Sequence, residues 1–243
     1  IGSDVRIRNL FGVFGVYELN YFLSVIFSIV TFIILVNAYN LIDGIDGLAG
    51  VYGVICFSLF GISYYRLGEY NYPLVILSTT IIGTVIGFLY YNLSDRSKKI
   101  FMGDTGSMLL GFLLTFTSIC FMDIFIVKKV QGAVFYHLNT APVMAIAIMI
   151  LPIIDTLNVI IIRLAEKRSP FDADKNHIHH KLLKLGITHK RATLYIISYY
   201  LFIVIISYFL RHVEVNLLLI IILLLGFLGA YLPDFFYKRK INN

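Results

Sequence analysis

Two carboxylates and two amides crowd the stretch Asn37-Ala38-Tyr39-Asn40-Leu41-Ile42-Asp43-Gly44-Ile45-Asp46-Gly47-Leu48. Asn37, Asn40, Asp43 and Asp46 follow one another at intervals of three. On a helix that spacing sets neighbours along one drifting stripe. Such oxygen donors, with no Cys among them, suit a hard cation such as Mg²⁺, with Mn²⁺ as a substitute. Asp-Gly twice over is also ordinary turn chemistry. A turn, however, gives no reason for Asn40 one helical turn earlier.

The second stretch is Phe101-Met102-Gly103-Asp104-Thr105-Gly106-Ser107, directly before an apolar run. Asp, Thr and Ser there can cap the first helical turn, and Asp favours the positive end of the helix dipole. The functional reading is a metal-binding carboxylate beside small residues that let a phosphate approach. Both readings stay open from these residues.

The third runs Arg168-Ser169-Pro170-Phe171-Asp172-Ala173-Asp174-Lys175-Asn176-His177-Ile178-His179-His180-Lys181. His177, His179 and His180 fall within four residues, flanked by Arg168, Lys175 and Lys181. Zinc is disfavoured, because no Cys or second His pair is near and the flanks are cationic. A solvated basic loop is one remaining reading. The other is anion recognition, with imidazoles and cations arranged around a diphosphate. Outside the three stretches, Asp155 interrupts an apolar run, which makes it a functional suspect; pairing with a neighbouring helix is the equal alternative. His137, His189 and His212 read as structural or flanking residues.

The elements that position these residues are membrane helices. Hydrophobic residues make up 59% of the 243, charged residues only 14%, and mean hydropathy is +0.85. A water-soluble globule of this length cannot hide so much apolar surface. Apolar runs near the ~20 residues needed to cross a bilayer fall at about 21–41, 48–65, 72–91, 106–122, 141–163, 193–210 and 216–235. The expected fold is therefore all-α: a polytopic transmembrane bundle of about seven spans, one integral membrane domain over 1–243. Val5-Arg6-Ile7-Arg8 alternates with period two before Gly12 and Gly15, which predicts a short strand or hairpin outside the lipid. Cys56 and Cys120 lie inside apolar runs and read as packing residues.

Lys and Arg counts orient the bundle. The loops at 92–105 and 163–192 and the tail after 235 hold fourteen, and the other side holds six. Positive-inside makes the first side cytoplasmic. Span alternation then brings all three polar stretches to the cytoplasmic face, at the lipid boundary. The net charge of +6 is a topology signal and implies no nucleic-acid partner.

Oxygen donors for Mg²⁺ and a basic His loop, both at the lipid surface, fit phosphoryl transfer between a soluble phosphate-rich molecule and a lipid head group. No GxxxxGK[ST] loop and no GxSxG elbow occurs, which argues against an NTPase and a serine hydrolase. An ion transporter would use Asp155 and the polar helix break, but gives no reason for the His loop. A non-catalytic scaffold that binds a lipid phosphate is the other competing class.

In order and spacing, Asn37-x-x-Asn40-x-x-Asp43-Gly-x-Asp46-Gly-Leu48, Phe101-Met-Gly-Asp104-x-Gly-Ser107 and Ser169-Pro-Phe-x-x-Asp174-x-Asn176-His177-x-His179-His180 resemble the polyprenyl-phosphate N-acetylhexosamine-1-phosphate transferases. The His-x-His-His loop is similar to the branch acting on UDP-N-acetylglucosamine. The resemblance implies a bundle of about ten or eleven helices in the bacterial cytoplasmic membrane, with a cytoplasmic active-site cleft. It implies transfer of a sugar-1-phosphate from a UDP-N-acetylhexosamine to undecaprenyl phosphate, releasing UMP, as the first step of a cell-surface polysaccharide pathway. Carried over, Asp104 is the main Mg²⁺ ligand and Asn40 a second ligand or a diphosphate contact. Asp43 and Asp46 line the nucleotide-sugar pocket, Asp46 towards the uridine. Asn37, Arg168 and Asn176 join the substrate-binding set. His177, His179 and His180 hold the diphosphate and assist departure of UMP. Another N-acetylhexosamine is the alternative donor, and a homodimer is an open assembly state. The family also carries an Asp-Asp pair on an earlier loop, and no Asp-Asp pair occurs here. With seven spans against ten or eleven, the expectation is that the first helices lie upstream and that residues 1–243 alone are inactive.

Overall fold

The structure, a computed structural model, describes residues 5–94, 98–127, 138–170 and 176–241. A two-stranded antiparallel hairpin, β1 (Asn9–Val13) and β2 (Val16–Glu18), leads into nine α-helices among the described residues. They are α1 (Tyr21–Ile42), α2 (Leu48–Arg66), α3 (Tyr72–Asn92), α4 (Gly103–Val127), α5 (Ala141–Ile148), α6 (Ile150–Ala165), α7 (Ile178–Lys184), α8 (His189–Phe209) and α9 (Val215–Ile241). Six spans are long and apolar enough to cross a membrane, and the bent pair α5–α6 makes up to seven. The polytopic all-α expectation holds, with the hairpin as its one sheet among the described residues.

The first helix begins where Asn20 accepts the Leu23 N–H at 2.9 Å, a side-chain cap worth ~1 kcal/mol. It is apolar all round, and only 17% of its most hydrophobic window is buried within this chain. The second helix inverts that pattern. Its window is the least hydrophobic of the six, at 1.6, yet 61% of it is buried. A span enclosed by protein needs less hydrophobicity than one facing lipid, which is why α2 reads weakly from sequence. Tyr52, Cys56, Phe57 and Phe60 fill the centre of the bundle from this helix. Cys56 and Cys120 are both unbridged, as their apolar settings suggest.

Residues 141–163 read as one continuous span, whereas the chain bends by 74° between α5 and α6, at Met149. Pro152 supplies the reason: it has no N–H for the Ile148 carbonyl, and its ring crowds that oxygen. The released carbonyl is satisfied from outside its own helix. It accepts the hydroxyls of Tyr52 at 2.9 Å and Tyr200 at 3.1 Å, with the Cys56 thiol at 3.4 Å.

The hairpin also lies four residues later than the alternation at Val5–Arg8 suggests. That segment bonds to α1 instead. The Ile7 N–H donates to Ser28 Oγ at 2.8 Å, and Ser24 Oγ donates to the Ile7 carbonyl at 2.6 Å. The hairpin tip is held by Asn216, at the start of α9, which accepts the Phe14 N–H at 2.7 Å and donates to the Gly12 carbonyl at 3.2 Å.

Candidate functional site

All three polar stretches meet at one end of the bundle. The first supplies the end of α1 and the turn into α2. Asn40 sits half-buried on the last helical turn, and its side-chain oxygen accepts the hydroxyl of the buried Ser107. That bond ties the first stretch to the second. Asp43 closes α1, its own N–H returning to the Asn40 carbonyl at 3.2 Å. Gly47 adopts φ +77°, a left-handed conformation that favours glycine, and starts α2. Asn92, at the end of α3, accepts the Gly47 N–H at 2.8 Å and donates to the Ile100 carbonyl at 2.9 Å. One buried amide therefore fixes the turn and the approach to Asp104 together.

The carboxylates fall into two settings. Asp46 lies 2.5 Å from the Lys99 ammonium and 3.4 Å from His189 Nδ1. Its backbone carbonyl accepts the Thr193 hydroxyl at 3.0 Å. Asp43 is dominated by desolvation and by other acids. Burial first, then the charges of Asp104 and Asp46, push its carboxyl up to about 6. Asp104 is exposed, in the first turn of α4 directly after Gly103. Asn37 is exposed and turned back on its own helix, donating to the Ile33 carbonyl at 2.6 Å.

The third stretch enters through α7. A Cβ built on Gly44 would lie 2.1 Å from His179 Nε2, so the His motif packs directly on the Asp-Gly turn. His179 is 2% exposed, and its Nε2 has no hydrogen-bond partner among the described residues. Burial lowers its pKa to about 4 against the opposing pull of Asp155, with His180, His177 and His189 reinforcing the shift. This ring is neutral at pH 7 and contributes packing rather than charge. Its neighbours stay close, with the His180 ring centroid at 4.2 Å and the His177 ring nearly parallel at 5.8 Å. His180 and Asn176 are half-buried. Arg168 makes a two-pronged contact with Glu166 Oε2, from Nε at 2.7 Å and a terminal nitrogen at 2.5 Å. Phe171, Asp172, Ala173, Asp174 and Lys175 of the quoted motif, and His137, lie outside the described residues.

Three positioning groups carry no obvious signal in the sequence. Asn92 looks like the polar end of an apolar run. Arg163 reads as a topology charge, yet it is buried and donates to the Pro170 carbonyl in the His loop. Lys181 reads as a flanking cation, yet it is 4% exposed and meets Asp234 of α9 at 2.5 Å. Only an odd charge inside an otherwise apolar helix, as at Asp234, hints at the last of these.

Among the described residues no three His, Cys, Asp or Glu side chains gather at metal-holding distance. The donor set still suits Mg²⁺, which takes one or two carboxylates and completes its shell with phosphate oxygens and water. Beyond its burial, Asp43 feels the charges of Asp104 and Asp46, and a cation would offset that repulsion. Asp104 and Asp43, with the Asn40 amide oxygen, are the groups able to hold it. An apolar cavity of about 420 Å³ lies elsewhere, among α6, α7, α8 and α9, walled by Ile154, Ile178, Tyr199 and Phe236.

Comparison with known sequences agrees with the motifs. The family model described as Glycosyl transferase family 4 matches residues 1–122, which include the first two stretches whole. The chain belongs to that family. Among its relatives, the decaprenyl-phosphate N-acetylglucosaminephosphotransferase of Mycolicibacterium smegmatis is 36% identical over 137 residues, covering 56% of this chain and 32% of that protein. The probable undecaprenyl-phosphate N-acetylglucosaminyl 1-phosphate transferase of Bacillus subtilis is 35% identical over 120 residues, 49% of this chain and 30% of that protein. The undecaprenyl-phosphate alpha-N-acetylglucosaminyl 1-phosphate transferase of Escherichia coli is 31% identical over 121 residues, 49% of this chain and 30% of that protein. The match to these glycosyl transferase family 4 members thus spans about a third of their own length.

Proposed function

We propose that the protein carrying this chain transfers N-acetylglucosamine-1-phosphate from its UDP-sugar to undecaprenyl phosphate, releasing UMP, on the cytoplasmic face of a bacterial inner membrane. One observation carries the reading. The oxygen-donor turn at 40–46, Asp104 and the His loop converge at one end of a lipid-crossing bundle, although the chain separates them by two helices or more. The names of the relatives supply the sugar and the polyprenyl acceptor. Positive-inside supplies the cytoplasmic face.

The chemistry is a single displacement. A phosphate oxygen of the lipid attacks the β-phosphorus of the UDP-sugar, and the bond to the UMP phosphate breaks. Bound Mg²⁺ would neutralise the diphosphate and lower the cost of charge building on the leaving phosphate. Asp104 and Asp43, with Asn40, are the residues that would hold it. The Ser107 hydroxyl orients the Asn40 amide towards that task. Asp46, balanced by Lys99 and His189, would serve the uridine side of the nucleotide. His177 and His180 would hold the diphosphate, and His179 locks the loop in place through its contact with Gly44.

The test is UMP release by membranes carrying the full-length protein, given undecaprenyl phosphate, Mg²⁺ and UDP-N-acetylglucosamine. Release that needs lipid, donor and metal together is the expected result. Release only from a different UDP-N-acetylhexosamine keeps the chemistry and changes the sugar. No release from any UDP-sugar overturns the reading.

A further inference from the structure

One buried carboxylate has no part in the transfer chemistry so far. Asp155 is 1% exposed and lies within α6, part of the bent span. Its Oδ1 accepts the backbone N–H of Ile178 at 2.7 Å, and its Oδ2 lies 2.8 Å from Nδ1 of His177. One side chain therefore grips the first residue of α7 and the imidazole that precedes it. His177 is itself 4% exposed.

Economy argues against a purely structural role. A carboxylate inside a lipid-crossing segment is costly unless every lone pair is used well. Serine, threonine or asparagine would satisfy one N–H at the start of α7 at much lower cost. What a carboxylate adds is acceptance at both oxygens. It takes the Ile178 N–H on one and requires a proton on His177 Nδ1 for the other. With the ring proton held on Nδ1, the lone pair lies on Nε2. The His179 ring lies nearly parallel to the His177 ring, with centroids 5.8 Å apart.

We propose that Asp155 is a positioning residue for phosphate transfer: it sets the tautomer and the ring plane of His177 so that Nε2 accepts a proton from water and donates that hydrogen to a diphosphate oxygen of the sugar nucleotide. This rests on the transfer reading above. Asp155→Asn is the informative variant, because it keeps size and shape. The substituted amide still offers its oxygen to the Ile178 N–H, while its NH₂ must donate to His177 Nδ1. That moves the ring proton to Nε2 and opposes a second proton on Nδ1.

Two readouts on the complete membrane protein decide it. Nitrogen-15 spectra of histidine-labelled wild type should show neutral His177 protonated at Nδ1, and Asp155→Asn should exchange the two ring signals. In the UMP-release assay Asp155→Asn should lower kcat on the order of 100-fold with little change in KM for the UDP-sugar, as wrong-tautomer and supporting-residue substitutions do elsewhere. Asp155→Glu, which keeps the carboxylate, should recover part of kcat. A wild-type His177 protonated at Nε2 alone, or an Asp155→Asn variant with unchanged kcat, overturns the proposal. If the wild type releases no UMP from any UDP-sugar, the transfer reading fails, and the nitrogen-15 spectra alone then decide whether Asp155 sets the tautomer.

Discussion

Gly44 and the imidazole of His179 compete for one volume: a Cβ on Gly44 would stand 2.1 Å from Nε2 and 2.6 Å from Cε1 of that ring. The first and third polar stretches, far apart in the chain, are in direct contact through this pair. The glycine is required here by space. Gly44→Ala should displace α7 or the turn at a cost of about 1–3 kcal/mol, typical of overpacking. Thermal unfolding in detergent of Gly44→Ala, His179→Ala and the double variant measures the coupling. The second substitution should cost less in the background of the first. Strict additivity would contradict the contact.

A pH dependence follows from the same ring. His179 has a pKa of about 4 in the fold against 6.5 for an ordinary imidazole. Between those values the unfolded chain binds a proton that the folded ring refuses. Stability from keeping the ring neutral is therefore complete above pH 6.5 and is lost as pH falls towards 4. Asp155 opposes this shift, and His177, His180 and His189 reinforce it. Asp43, whose raised value of about 6 acts in the opposite sense over the same range, sets the baseline, so the ring's share is the loss of unfolding temperature from about pH 7 to about pH 5 that the wild type shows beyond a variant without the imidazole. His179→Gln, which cannot titrate, should fall less steeply. Parallel profiles would place the acid sensitivity elsewhere.

The bend at Met149 predicts a non-additive pair. Tyr52 and Tyr200 both donate to the Ile148 carbonyl that Pro152 leaves without a helical partner. Tyr52→Phe or Tyr200→Phe alone should cost about 1 kcal/mol, since the other hydroxyl still serves the oxygen. The double variant leaves the buried carbonyl only the weak Cys56 thiol at 3.4 Å and should cost more than the sum. Urea or thermal unfolding of the three variants checks this, and a double variant equal to the sum would contradict the shared acceptor.

Much of this arrangement is legible in the sequence. Long apolar runs, their breaks and the Lys/Arg bias locate six spans within a few residues and bring three polar stretches to one end. Hydropathy works because lipid leaves the backbone few alternatives. Two features escape it for physical reasons. The bend within 141–163 depends on whether something outside the helix can satisfy the Ile148 carbonyl, and Tyr52 and Tyr200 lie 96 and 52 residues away. The hairpin start is set by Ser24 and Ser28 claiming the backbone of Ile7, which period-two alternation does not register. Within the site, residue types identify Asp43, Asp104 and the His motif as candidates. Their inequality is tertiary. Asp46 meets Lys99 while Asp43 is raised to about 6, and His179 is buried while His180 is half-open. Asn92 and Lys181 matter through partners that no local pattern announces.

The most direct test compares wild type and Asp104→Asn in full-length protein, measuring UMP release from UDP-N-acetylglucosamine with undecaprenyl phosphate across a Mg²⁺ titration. The substitution keeps the shape of the first turn of α4 and removes one charge from the donor set. The account predicts Mg²⁺-dependent release by the wild type and a loss of two orders of magnitude or more in the variant, on the scale of losing a metal ligand at a phosphoryl-transfer site (~3 kcal/mol). Equal, metal-independent release by both proteins would contradict it.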